Sequence, residues 1–144
     1  MKVAELFSVQ GYGAIVTGGA SGLGLAFTEA LAENGARVTM LDINPTRIES
    51  ETRRLQGKGW DARGEVVDVT QHDRLDKAFD DAAKLYGKLD VVFANAGVDP
   101  GPGFINNWVG GEYPRNEQGA LENYTTGRWQ KCLDGNLAGV LATR

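Results

Sequence analysis

Apolar residues along this chain follow two alternating rhythms. Gly13-Ala14-Ile15-Val16-Thr17 is a short apolar run with β-branched residues and bounding glycines, and Arg37-Val38-Thr39-Met40-Leu41 is a second; both predict buried strands. Between them Leu23, Ala26, Phe27, Ala30 and Leu31 fall at steps of three and four, the spacing of one helix face, with Asn34-Gly35 as the stop. Pro45 to Leu55 predicts a second, more polar helix that carries proline in its first turn. Glu65-Val66-Val67 predicts a short third strand, and Thr70 with Asp73 three positions on predicts a capped helix start. That helix places Leu75, Ala78, Phe79, Ala82, Leu85 and Tyr86 on one face before Gly87 ends it, and Leu89 to Ala94 reads as a fourth strand. Near-continuous apolar strands alternating with one-faced helices predict an α/β fold, a doubly wound parallel sheet covered on both sides.

After the fourth strand the rhythm is lost. Asp99 to Gly127 is rich in glycine, proline, asparagine and glutamate, interspersed with Phe104, Trp108, Tyr113 and Tyr124. A connection this long is usually functional or disordered; its aromatics would line a substrate entrance or anchor an ordered surface loop. A last helix is predicted from about Gly127 onward, with Trp129, Cys132, Leu133, Leu137, Val140 and Leu141 as its apolar stripe and Asn136 on that same stripe. An amide buried there unsatisfied costs on the order of 1–3 kcal/mol, so a polar group is expected beside it. Residues 1–144 together have the size of one domain.

Composition narrows the function classes. Hydrophobic residues make up 42% and charged residues 24%, and no apolar stretch approaches the ~20 residues of a membrane span, which predicts a soluble globular protein. Met1 to Phe7 carries an early acid and no long apolar run, a poor signal peptide, so a cytoplasmic location is the expectation. A single cysteine, Cys132, forms no internal disulfide, and the single histidine, His72, leaves no His/Cys cluster, so no structural metal is expected. The net charge of −4 is scattered, with no basic stripe, and neither nucleic acid nor membrane is an expected partner. A Gly-x-x-x-x-Gly-Lys-Ser/Thr segment and a Gly-x-Ser-x-Gly elbow with a downstream histidine are both missing, which removes the P-loop and α/β-hydrolase readings.

Candidate chemistry lies between the first strand and the first helix, in Thr17-Gly18-Gly19-Ala20-Ser21-Gly22-Leu23-Gly24. Glycines there permit a tight turn and let backbone approach a pyrophosphate, which the helix N-terminus then attracts. Asp42, at the end of the second strand and 18 residues after Gly24, can accept hydrogen bonds from the adenosine ribose hydroxyls. The same carboxylate opposes a 2′-phosphate, and Ile43 beside it supplies no positive charge, so NAD is favoured over NADP.

These residues, together with Asp68-Val69, Asn95-Ala96-Gly97 and Asn136 in the run Asp134 to Val140, resemble in order the landmarks of the short-chain dehydrogenase/reductase family, with its Rossmann-like sheet. The resemblance implies that Gly18, Gly22 and Gly24 shape the pyrophosphate turn, with Thr17, Ser21 and Leu23 in the same cofactor-binding segment. It implies that Asp42 meets the adenosine ribose, that Asp68 and the Val69 backbone meet the adenine, and that Asn95, Ala96 and Gly97 close the fourth strand beside the cofactor. Asn136 would belong to the catalytic network: in similar proteins this asparagine interrupts regular helix bonding and holds a water leading to the catalytic lysine. The implied reaction is hydride transfer between NAD(H) and an alcohol or ketone.

The sequence departs from the family where the chemistry is completed. Family members carry a serine and a Tyr-x-x-x-Lys pair after the helix asparagine, and no such pair exists here; Tyr124-Thr-Thr-Gly-Arg128 has the spacing but precedes Asn136 and ends in arginine. The chain is therefore expected to represent the N-terminal, cofactor-binding half of a dehydrogenase, cut after about four strands and the following helix and inactive alone. Its fourth strand would form an exposed edge, and a homo-oligomer or a complementary chain is the expected consequence. The competing expectation is a catalytically silent NAD-binding or interaction module that pairs with another chain.

Overall fold

The computed structural model describes residues 6–99, 101 and 116–143. Strand β1 (Gly13–Thr17) leads into helix α1 (Gly22–Glu33), β2 (Arg37–Asp42), α2 (Pro45–Gly57), β3 (Ala62–Val66), α3 (His72–Tyr86) and β4 (Val91–Phe93). Two 3-10 turns, Glu117–Gly119 and Leu121–Asn123, precede a final helical segment. That segment is α-helical over Thr126–Leu133 (α4), π-helical over Asp134–Ala138 and α-helical again over Gly139–Ala142 (α5). The sheet is parallel, in the order β3-β2-β1-β4, so the chain steps outward from β1 on one side and returns to its other side through α3.

Every residue of β1 is buried because the sheet is covered on both faces. Ala14, Val16 and Val38 point to one face, where Leu31, Ala32 and Ala36 of α1 and its C-terminal turn pack; Met40 on that face meets Ile48 and Leu55 of α2. Ile15 and Leu41 point to the other, against Leu75, Ala78, Ala82 and Tyr86 of α3. The α3 face has the predicted spacing, although Leu85 is exposed. Gly87 ends the helix in the left-handed conformation. At the far ends of β1 and β4, the Asp90 carboxylate accepts from the Gly13 amide at 2.9 Å and pairs with Lys88, fixing where the two strands start. Nearby, the Tyr86 hydroxyl shares a hydrogen bond of 2.8 Å with Thr39.

Several expectations are corrected. The third strand begins three residues earlier than predicted: β2 pairs with Ala62–Val66, an edge strand whose exposed residues weaken its apolar signature. Thr70 does not cap α3; its amide and hydroxyl both donate to the Asp68 carboxylate, and Gln71 occupies the cap position without a side-chain bond. In α1 the buried positions are Gly24, Thr28, Leu31 and Ala32, whereas Leu23 is 72% exposed, so the packed face is rotated from the predicted stripe. The largest difference is in the final helical segment. Trp129, Leu137, Val140 and Leu141 are exposed, while Gly135, Gly139 and Thr143 are buried. There the small residues, not the large apolar ones, face the body of the protein. A Cβ on Gly139 would lie 2.7 Å from Val69 Cγ2, so the helix sits too close for a larger residue. Most of the segment 99–127, with Phe104, Trp108 and Tyr113, lies outside the described residues.

Candidate functional site

Parallel strands point their carboxyl ends one way, and between β1 and β4 the connections diverge to opposite sides of the sheet. A crevice opens at such a switch point. Here the segments following β1, β2, β3 and β4 and one face of α4 enclose a cleft of about 820 Å³, within the range usual for small-molecule sites.

The turn after β1 is shaped by close backbone approach. Gly18 has φ +64°, and a Cβ there would lie 3.0 Å from the Ala96 Cα. Gly24 brings α1 against the turn, where a Cβ would collide with the Gly18 carbonyl. Ser21 is the cap residue of α1, with extended backbone, but its side chain makes no capping bond. An α-helix leaves its first N–H groups without intrahelical partners, and here the cap side chain does not take one.

Asp42 ends β2 and is 9% exposed. Its Oδ2 accepts from the Ala20 amide at 3.3 Å and its Oδ1 from the Asn44 amide at 3.0 Å, tying the glycine turn to the start of α2. A carboxylate offers about four acceptor sites, so capacity for two further donors is left. Arg47, in the first turn of α2, reaches the same part of the cleft, as does Ile43. Beyond β3, Val67 to Thr70 form the next wall, held by the Asp68 to Thr70 turn.

Thr17 and Asn95 join the β1 and β4 ends. The Thr17 hydroxyl donates to the Phe93 carbonyl at 3.3 Å and accepts from the amides of Asn95 at 3.1 Å and Ala96 at 3.0 Å. One donor and two lone pairs are thereby used, and the side chain is buried away from the cleft. The Asn95 amide nitrogen donates in return to the Thr17 carbonyl at 3.1 Å. Asn136 lies in the π-helical turn and is not on a buried apolar face as expected; it pairs with one backbone unit of the loop after β4. Its Oδ1 accepts from the Val98 amide at 2.7 Å and its Nδ2 donates to the Val98 carbonyl at 2.9 Å.

The structure thus brings Gly18, Ser21, Asp42, Asp68, Val69, Asn95, Ala96 and Gly97 to the walls of one cleft. Thr17, Gly22, Leu23 and Gly24 stand behind or beside those walls, and Asn136 braces one of them. The sequence reading missed Arg47 and a second wall, Gly127, Gln130, Lys131, Asp134 and Gly135. Their steps of three and one mark one helix face, a polar one, which a search for the apolar stripe passes over. Among the described residues no group of His, Cys, Asp and Glu could hold a metal ion.

Comparisons with known proteins agree with this geometry. The family model for short chain dehydrogenases matches residues 13–144. A short chain dehydrogenase/reductase of Colletotrichum higginsianum is 45% identical over 84 residues, 58% of this chain and 31% of that protein. A short chain dehydrogenase/reductase from Burkholderia phymatum, solved in complex with NAD, superposes with a TM-score of 0.78 at 25% identity, over 95% of this chain and 43% of that one. A short chain dehydrogenase from Burkholderia cenocepacia, solved in complex with NADP, superposes with a TM-score of 0.76 at 26% identity, over 94% of this chain and 49% of that one. This chain spans less than half the length of each.

Proposed function

The chain belongs to the short-chain dehydrogenase family, and from that premise we propose that it forms the cofactor-binding part of an oxidoreductase that uses NAD(H). The observation that carries the choice of dinucleotide is Asp42: a buried carboxylate at the end of β2, held by two amides and with acceptor capacity left for two ribose hydroxyls. A 2′-phosphate would bring its charge against that carboxylate. The fit extends along the cleft. Gly18 admits backbone to the distance a pyrophosphate needs, and the start of α1 offers unbonded amides and the positive end of its dipole. Val67 to Val69 form an adenine wall, and Asn95 to Gly97, held by Thr17 and followed by the Val98 that Asn136 clamps, position the opposite end.

When bound, the dinucleotide supplies a hydride donor or acceptor at its nicotinamide ring, and the substrate class proposed is an alcohol or ketone. The chain's own residues bind and orient. Asn136 maintains the course of the segment after β4 and so positions what that segment touches. The test is titration calorimetry of the purified protein with NADH and NADPH. NADH is expected to bind more tightly, with Asp42→Ala narrowing the preference; NADPH bound equally well or better by the unaltered protein would refute the reading of Asp42.

A further inference from the structure

The cleft holds a second charge beside Asp42, of opposite sign and with no assigned role. Arg47 lines the cleft with Asp42, Ile43 and Asn44. It is the third residue of α2 after the Asn44 cap, in the first turn, where the helix dipole favours anions and disfavours a cation; no acidic residue accompanies it there. The other arginines of α2 are engaged: Arg53 with Glu49, and Arg54 with both Glu51 and Glu29. Glu51, one helical turn beyond Arg47 and the residue placed to neutralise it, is taken by Arg54 at 2.6 Å. Among the described residues the Arg47 guanidinium has no hydrogen-bond or ion-pair partner. Its backbone alone is used, the amide donating to the Asn44 side chain at 3.0 Å.

We propose that Arg47 is a specificity-determining residue that receives the 2′-phosphate of NADP(H), so that this cleft accepts both dinucleotides and the margin between them is set by the opposition of Arg47 and Asp42. The inference rests on the cofactor reading above. A guanidinium presents paired N–H donors that match phosphate oxygens, and none of them is committed within the protein. Asp42 still keeps NADH ahead. Its carboxylate is buried and weakly screened, whereas Arg47 is exposed and its field is damped by solvent and salt. The result is a modest preference for NADH, smaller than an unopposed carboxylate would impose.

The experiment measures binding of four ligands to the full chain by calorimetry: NADH and NADPH, and AMP and adenosine 2′,5′-bisphosphate as probes of the adenosine end alone. Variants are Arg47→Ala and Arg47→Lys. Loss of one charge-assisted contact to phosphate should weaken NADPH and the bisphosphate about tenfold in Arg47→Ala, with NADH and AMP held within about twofold. Arg47→Lys should fall between, because a point charge keeps attraction but not the paired geometry. Added salt should weaken NADPH more than NADH in the unaltered protein and erase that difference in Arg47→Ala. Equal losses for both dinucleotides, or an unchanged ratio, would overturn the role of Arg47 while leaving the cofactor reading intact. Failure of the unaltered protein to bind either NADH or AMP would overturn both.

Discussion

Replacing Thr17 by valine keeps the shape of the side chain and removes the hydroxyl that links the ends of β1 and β4. The cost can be worked bond by bond. The Asn95 amide, which donates to Thr17 Oγ1 at 3.1 Å, also reaches the Phe93 carbonyl at 2.9 Å and keeps that partner. The Ala96 amide, at 3.0 Å from Oγ1, has no other protein acceptor among the described residues and is left with none. An orphaned amide of this kind costs about 1–3 kcal/mol, and the bond from Oγ1 to the Phe93 carbonyl, long at 3.3 Å, adds little. A net destabilisation of about 2 kcal/mol follows, lowering Tm by about 4–8 °C for a chain of this length. Urea unfolding followed by fluorescence and circular dichroism measures it, with Thr17→Ser as the control that restores the hydroxyl. Dinucleotide affinity should also fall in the valine variant, because the loosened segment is the Asn95 to Gly97 wall. A valine variant as stable as the parent, or a serine variant as unstable as the valine one, would refute this account of the joint.

Two further outcomes are expected. The Lys88 ammonium, and after it the Gly13 amide, hold the Asp90 carboxyl below the usual carboxylate range. A carboxylate depressed in the folded state contributes stability above its unfolded pKa, near 4, and that contribution is lost as pH falls through the folded value. Asp90→Asn should therefore flatten the loss of stability below about pH 4 in an acid titration, and an unchanged acid limb would remove the argument. In sedimentation the protein is expected to run as a dimer or larger, because β4 is an edge strand with Val92 exposed and the final helical segment presents Trp129, Leu137 and Leu141 to solvent; a monomer at high concentration would count against it.

What the sequence makes legible follows from how strongly each element is forced. β1 and β2 are buried on both faces, so only apolar residues serve there and their ends fall within a residue of the predicted ones. β3 is an edge strand, paired on one side and exposed over part of its length. Arg63 and Glu65 are tolerated, so the apolar run Val66-Val67 misplaced the strand toward its exit. The final helical segment was read by the size of its apolar residues, yet packing here is set by closeness of approach. Gly135 and Gly139 are buried because their neighbours Val98 and Val69 leave no room for a side chain. Asp42 and Asn95 were legible because each stands at the end of a buried apolar strand, where a polar residue has few reasons to be. Arg47 was not, since a surface arginine on a polar helix gives no local signal until the fold sets it beside Asp42.

The same geometry separates holding a dinucleotide from moving a proton. General acid–base assistance, typically worth 10²–10⁴-fold, needs a group within hydrogen-bond reach of the substrate oxygen. Tyr86 closes α3 and bonds Thr39, and Tyr12 immediately precedes β1, so both belong to the end of the sheet where the parallel strands begin, whereas the cleft is built where they finish. Tyr124 precedes α4, and its ring lies under the Arg128 guanidinium at 4.4 Å, a contact that holds the ring in place without the compact ammonium the family's lysine provides. Asn136 spends both ends of its amide on the Val98 backbone. Each polar group of the described cleft therefore serves to shape, bind or brace. The conformational interruption at Asp134–Ala138 has a physical reason on the same terms: a π turn carries one extra residue per hydrogen-bonded loop, and that offset places Asn136 against Val98 while Gly135 and Gly139 stay packed beneath the helix.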